Sequence, residues 1–248
     1  MTWYGIGDGP GTRSTLLEAG PDGMVFSVNR NGSPHGPFRS PMVGEHNLRN
    51  LTAVVEVLAG LGVEDATLTQ ALASFEGIKR RQEIRGCADG VTVVDDFAHH
   101  PTAVRETLRG LRLRHTGGRL VAVFEPRTQS SRRAIFQKDY AAALAEADRV
   151  IVAAVHDPER VPSDDRLDAG RLAADLKKSG TPAQHIPGVA EIVADLAATS
   201  RPGDVIAVLS NGAFGGIHQL LLDALGRRRQ AGGAEVPTPP SEQNSPAV

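Results

Sequence analysis

Four ionisable side chains crowd one short stretch, Val93-Val94-Asp95-Asp96-Phe97-Ala98-His99-His100-Pro101-Thr102. Neighbouring carboxylates and imidazoles can accept hydrogen bonds from a ligand's hydroxyls, and both are also metal ligands. The β-formers Val91 to Val94 lead in and read as a buried strand. Pro101 suits the first turn of a helix, where its missing N–H costs nothing, and Val104, Leu108 and Leu111 follow at helical spacing. The charged groups therefore occupy a strand-to-helix loop at a strand's carboxyl end, where open α/β sheets place their ligands. The bland reading is that Asp95 or Asp96 caps the helix and the histidines are solvated. Two acids and two histidines within six positions exceed what a cap requires.

The elements around this stretch can be taken in chain order. Residues 1–43 read as short strands joined by turns, with Met24 to Val28 leading into the hairpin signal Asn29-Arg30-Asn31-Gly32. The opening Thr2 to Gly7 has β-formers but nothing before it to pair with, which suggests a missing upstream part. Gly44-Glu45-His46-Asn47-Leu48-Arg49-Asn50 begins a helix with one apolar face (Leu48, Leu51, Val54, Val55, Leu58), and Gly60 and Gly62 end it. Asn47 falls at the N-cap or just inside it. A second short helix carries Leu68, Leu72 and Phe75 and leads to the basic link Gly77-Ile78-Lys79-Arg80-Arg81-Gln82-Glu83. A solvated linker is the plain reading of that link.

From about residue 82 strands and helices alternate. Ile84 to Gly86 and Val91 to Val94 form a hairpin around Ala88-Asp89-Gly90, and continuous apolar runs follow at Leu120–Phe124, Val150–Val155 and Val205–Leu209. Runs without alternation fit strands buried on both faces. Helix-period segments lie at 101–114, 134–147, 168–178, 188–199 and 215–226. The expected fold class is α/β, a Rossmann-like doubly wound sheet over residues 79–226, preceded by a partial domain over residues 1–78. Residues 227–248, Arg-rich and then rich in Pro, Gly, Ser and Glu, read as a disordered tail whose arginines are a solvated helix end.

Composition narrows the function classes. The chain has 248 residues, 40% hydrophobic, with net charge −2 and 4% aromatic residues. That balance favours neither nucleic acid nor an anionic membrane, and offers few rings on which bases could stack. No run of about 18 apolar residues occurs, so no membrane span is expected and the chain reads as cytoplasmic. The single cysteine, Cys87, reads as a small buried apolar residue and permits no intrachain disulfide.

Three of these stretches, Gly44 to Asn50, Arg80-Arg81-Gln82-Glu83 and Asp95 to Thr102, resemble in order and spacing the ATP-dependent Mur ligases of peptidoglycan synthesis. Phe124-Glu125-Pro126-Arg127-Thr128-Gln129-Ser130 and Leu209-Ser210-Asn211-Gly212-Ala213-Phe214-Gly215-Gly216-Ile217-His218-Gln219 look like the branch that recycles a peptide. That branch joins L-alanyl-γ-D-glutamyl-meso-diaminopimelate to UDP-N-acetylmuramate through an acyl phosphate. The branch that adds L-alanine alone would carry a Gln-Pro-His-Arg-Tyr type motif near Glu125; it remains the alternative.

The resemblance implies a Mur ligase C-terminal domain preceded by the later part of a central ATPase domain. It implies ATP and Mg²⁺ as cofactors, the metal ligands lying mostly in a part absent here. His46, Asn47 and Asn50 would belong to the adenine pocket, Arg81 would reach the phosphates, and Asp96 would accept the ribose hydroxyls. His99 and His100 would face the cleft between domains as catalytic residues with Arg81 and Asp96. Arg127, Ser210, Asn211 and Gly212 would hold the peptide, although Ser210 to Gly216 also reads as a simple helix-entry turn. No Gly-x-x-x-x-Gly-Lys-Ser/Thr loop is present: the lysines are Lys79, Lys138, Lys177 and Lys178, none in a glycine-rich strand-to-helix turn. The expectation is a chain inactive alone, with a separate chain as the possible carrier of the N-terminal part. Two other readings compete: a nucleotide- or peptide-binding module without catalysis, and a phosphoesterase using Asp95, Asp96, His99 and His100 as metal ligands.

Overall fold

The computed structural model describes residues 3–232, and in them the strands pair into two separate sheets. The first has four strands in the order β1 (Tyr4–Ile6), β2 (Thr12–Gly20), β3 (Gly23–Arg30) and β4 (Ser33–Ser40). β1 runs parallel to β2, and the other pairs are antiparallel. Every second residue of β3, Met24, Phe26 and Val28, is buried beneath α1 (Glu45–Gly60) and α2 (Asp65–Ala73), with Phe38, Leu48, Leu51, Val55, Leu68 and Leu72 completing the core. The opening segment pairs with β2, downstream of it. Phe75 lies beyond the end of α2 and is exposed.

The second sheet contains β5 (Glu83–Ala88), β6 (Val91–Asp96), β7 (Leu120–Phe124), β8 (Arg149–Val152), β9 (Ala183–His185) and β10 (Val205–Leu209). Their spatial order is β5-β6-β10-β7-β8-β9, all parallel except the β5–β6 hairpin. α3 (Pro101–Arg114), α4 (Gln137–Leu144) and α5 (Ala169–Lys178) pack on one face, and α6 (Val189–Thr199) and α7 (Ile217–Gly232) on the other. β10 shows why its apolar run does not alternate: Val205, Ala207 and Leu209 join the first core, Ile206 and Val208 the second. This is the doubly wound α/β sheet that the sequence implied.

Several boundaries shift. β8 stops at Val152, and the 134–147 segment splits into a 3₁₀ turn, Ala134–Phe136, followed by α4. β9 carries no apolar run, since Gln184 and His185 are exposed. Cys87 is exposed on the edge strand β5, not buried. α7 continues to Gly232, so Arg227–Gly232 belong to a helix and not to a tail; Arg228 donates to Asp89 and to the carbonyls of Ala197 and Ser200 and is no solvated end. The rest of the expected tail, residues 233–248, lies outside the described residues. Among the described residues no helix is long and apolar enough to cross a membrane.

Candidate active site

Register places the site. Leu209 pairs with Asp96 on one side and Phe124 on the other, and Phe124 pairs with Val152, so four strands end level. The loops that begin at Phe97, Glu125, Ala153 and Ser210 therefore share one edge of the sheet. Strand order reverses there as well, β10 lying between β6 and β7, and such a switch point opens a crevice at the carboxyl edge.

On the side facing the first sheet is a cavity of about 560 Å³ lined by His46, Asn47, Asn50, Arg81, Gln82, Asp96, His100 and Thr107, among others. Asn47 lies inside the first turn of α1, whose N-cap is Gly44, and its side-chain amide donates to the Val43 carbonyl at 2.8 Å. Asp96 is buried and accepts from the Gln82 N–H (2.8 Å), the Ala98 N–H (2.7 Å) and the Thr107 hydroxyl (3.1 Å). Burial raises its carboxyl pKa above the ordinary value against the pull of those donors and of Arg81. Burial also lowers the pKa of His46, opposed by the charges of Asp96 and Glu106, so its imidazole is neutral at pH 7. Two buried nitrogens in the lining, His46 Nδ1 and Gln82 Nε2, meet no partner among the described residues. Unpaired polar atoms in a cavity of this size fit a ligand with donor and acceptor edges, as a nucleotide base has.

The linker shapes this cavity through its backbone. Arg80 (φ 59°) and Gln82 (φ 52°) are both left-handed, a conformation that costs a non-glycine residue about 1 kcal/mol or more. Hydrogen bonds hold it: the Arg80 N–H donates to Glu83, the Gln82 N–H to Asp96, and the Phe97 N–H to the Arg80 carbonyl. Gln82 lies so close to α3 that a Cβ on Gly110 would come within 2.8 Å of its side-chain nitrogen. Arg81 stays exposed, 5.5 Å from the Phe97 ring centroid, at the cavity wall.

Around the other loops lies a second constellation. Arg127 Nη1 stands 3.5 Å from Glu125 and 3.4 Å from His156 Nδ1, and His156 Nε2 is 3.5 Å from Asp157. The buried Ser210 hydroxyl donates to Glu125 and accepts from the Gly212 N–H. Gly212 lies flat against Arg127, and any Cβ there would overlap the guanidinium. The arrangement presents a half-buried arginine beside an imidazole, suited to binding a carboxylate.

The four groups of the Asp95–His100 stretch do not converge. Asp95 faces away from the cavity toward His218 Nε2 (3.4 Å), Arg80 (3.5 Å) and Arg85 (3.9 Å). Burial raises its carboxyl pKa, but the neighbouring His218 ring and the charges of Arg80 and Arg85 outweigh that and hold it low. His99 turns back to the Phe97 carbonyl and stacks edge-on against Phe97, and it does not line the cavity. His100 does line it and caps α3, accepting from the Thr102 N–H. Of the two histidines expected to face the cleft, His100 lines this cavity and His99 does not. Among the described residues no three His, Cys, Asp or Glu side chains group closely enough to hold a metal ion, so the phosphoesterase reading has no ligand set. The roles of Arg80, His156 and His218 were missed. The alternation of side chains along β6 would have set Asp95 and Asp96 on opposite faces.

Residues 80–212, more than half the chain, match the Mur ligase, glutamate ligase domain. The UDP-N-acetylmuramate–L-alanyl-γ-D-glutamyl-meso-2,6-diaminoheptandioate ligase of Escherichia coli (strain K12) is 38% identical over 213 residues, 85% of this chain and 44% of that protein. The UDP-N-acetylmuramate–L-alanine ligase of Acidothermus cellulolyticus is 37% identical over 228 residues, 92% of this chain and 47% of its own length. The crystal structure of a murein peptide ligase from Psychrobacter arcticus superposes with a TM-score of 0.65 at 29% identity, covering 91% of this chain and 46% of that one. The chain spans about half the length of the curated relatives it matches.

Proposed function

Because this chain belongs to the Mur ligase family, whose members are ATP-dependent amide ligases, we propose that it supplies a nucleotide-pocket wall and the peptide-binding edge of a peptide-recycling ligase. The product bond joins UDP-N-acetylmuramate to L-alanyl-γ-D-glutamyl-meso-diaminopimelate. ATP, when bound, supplies the phosphoryl group that turns the muramate carboxylate into an acyl donor. His46, Asn47 and Asn50 then contact the adenine, Asp96 accepts the ribose hydroxyls, and Arg81 reaches the phosphates from the linker. His100 borders the same cavity. Arg127, with Ser210, Asn211 and Gly212, orients the tripeptide so that its amine lies in line with the acyl carbon.

The observation that carries this reading is the pairing of the two constellations on one sheet edge, with Asp96 ending β6 and Arg127 following β7, the two strands that flank β10. Arg127 also favours the tripeptide over L-alanine as acceptor, because the tripeptide offers carboxylates that a single alanine lacks. Calorimetry on the purified chain with tripeptide, L-alanine and a non-hydrolysable ATP analogue tests the assignment. The tripeptide should bind at least ~10-fold more tightly than L-alanine, a difference of about 1.4 kcal/mol. Equal or reversed affinities would assign the chain to the alanine-adding branch, and no nucleotide binding would remove the pocket. Having no Gly-Lys-Ser/Thr loop to cradle the γ-phosphate, the chain alone should turn over ATP no faster than its Asp96→Ala variant.

A further inference from the structure

The linker meets the end of β6 in two adjacent pairs that point opposite ways. Arg81 and Asp96 both line the cavity. Arg80 and Asp95 face the other way, toward the loop that follows β10. There the Arg80 guanidinium grips three consecutive carbonyls: Nη2 donates to Ser210 O at 2.6 Å and Gly212 O at 2.9 Å, and Nη1 to Asn211 O at 3.4 Å. Its Nε approaches Asp95 at 3.5 Å, and its Cζ lies over the Phe97 ring, 5.1 Å from the centroid. Asp95 in turn stands 3.4 Å from His218, in the first turn of α7 just beyond that loop.

We propose that Arg80 is a positioning residue that fixes the Ser210–Gly212 loop against Arg127. The adjacent Arg81 serves the nucleotide cavity, so one linker supports both substrate sites from consecutive residues. The physical case rests on donor count. The loop's three carbonyls would otherwise face water or nothing, and only a planar guanidinium offers enough donors in one fork to satisfy all three while keeping Nε near a carboxylate. A lysine offers a point charge without that geometry. The left-handed backbone at Arg80 directs the side chain out of the linker toward the loop. Gly212 then rests on Arg127, so the loop's height decides how much of the arginine a bound peptide meets. The inference rests on the peptide-edge assignment above for its ligand, although its effect on the loop does not.

Hydrogen–deuterium exchange on the ligand-free full chain, with calorimetry alongside, tests it through Arg80→Ala, Arg80→Lys and Arg81→Ala. Arg80→Ala should speed exchange of the 210–214 amides by ~10-fold or more and weaken tripeptide binding by a similar factor, changing nucleotide affinity less than ~2-fold. Arg80→Lys should fall between, which keeps the test decisive if the alanine variant does not fold. Arg81→Ala should show the crossed pattern, with nucleotide affinity lost and loop exchange unchanged. Unchanged loop exchange in both Arg80 variants overturns the proposal. So does an equal loss of both ligands in the Arg80 variants, which marks a general structural role. If wild type binds no tripeptide, the exchange data still decide the role of Arg80 and only the peptide-edge assignment falls.

Discussion

The two sheets bury their strands differently. The six-stranded sheet is covered on both faces, with Phe124 on one side of β7 and Val121 and Val123 on the other, all buried. The four-stranded sheet has a single core under α1 and α2, and leaves Trp3 (66% exposed), Tyr4, Leu16 and Leu17 open to solvent. Covered twice, the larger sheet can hold four strand ends level and thus fix the site's loops. The smaller sheet and its helices contribute α1, one wall of the cavity beside Asp96. Residues that must be placed accurately with respect to one another, such as Glu125, Arg127 and Ser210, all come from the doubly covered part.

The largest expected effects break that contrast at its two central phenylalanines. Phe124→Ala should cost about 3–5 kcal/mol and shift the unfolding of the whole larger sheet in urea. Phe26, equally buried, belongs to the other core. Phe26→Ala should raise hydrogen exchange across Thr12–Ser40 and leave β6, β7 and β10 protected; loss of protection there would show the two cores to be one cooperative unit. Limited proteolysis should cut first within residues 1–78 and leave a fragment starting near Arg81, and equal resistance of both parts would contradict the contrast. Next comes Arg127→Ala, which removes a half-buried charged contact worth on the order of 2–5 kcal/mol. Tripeptide binding should weaken by ~30-fold or more while nucleotide affinity stays near wild type; a parallel loss of both would make Arg127 a phosphate ligand.

Much of the larger sheet could be read directly. Leu120–Phe124, Val205–Leu209 and the helix Pro101–Arg114 are uninterrupted patterns bounded by turn residues, and the structure has them at those limits. β9 could not be read, because an edge strand of three residues with two exposed carries no periodic signal. Nor could the insertion of β10 between β6 and β7, since local patterning says nothing of strand order. For the candidate site, the motif stretches after β6, β7 and β10 fall in loops at one edge of the sheet, but the directions of side chains within them depend on a register that only pairing supplies. Arg80 and Arg81 are chemically identical in sequence and are separated by the left-handed turn between them.

Smaller effects sharpen the picture. His46 has a folded pKa below its unfolded value, so the unfolded chain binds the extra proton first as pH falls. The stability it favours is complete above about pH 6.5 and is lost as pH drops through the folded value. His115 is lowered by burial and by Arg114, and has the same sign. His46→Gln should therefore flatten, without abolishing, the fall in thermal stability below pH 6.5; an unchanged profile would show that burial does not control this imidazole. The smallest change is Leu16→Thr, at a position 44% exposed. It should alter stability by no more than about 0.5 kcal/mol and should reduce self-association by light scattering.

The placement of β10 also has a consequence for biosynthesis. Among the described residues it is the last strand in sequence, yet it lies between β6 and β7, pairing Val205 with both Thr92 and Leu120. During translation the earlier strands emerge with a gap at the middle of their sheet, and no nascent chain ending before Val205 can close it. Long-range parallel pairing of this kind slows folding and leaves strand edges open meanwhile. The edges of β6 and β7 are thus the surfaces a chaperone would need to shield, and the loop after β10 takes shape only once the ribosome has nearly finished the domain.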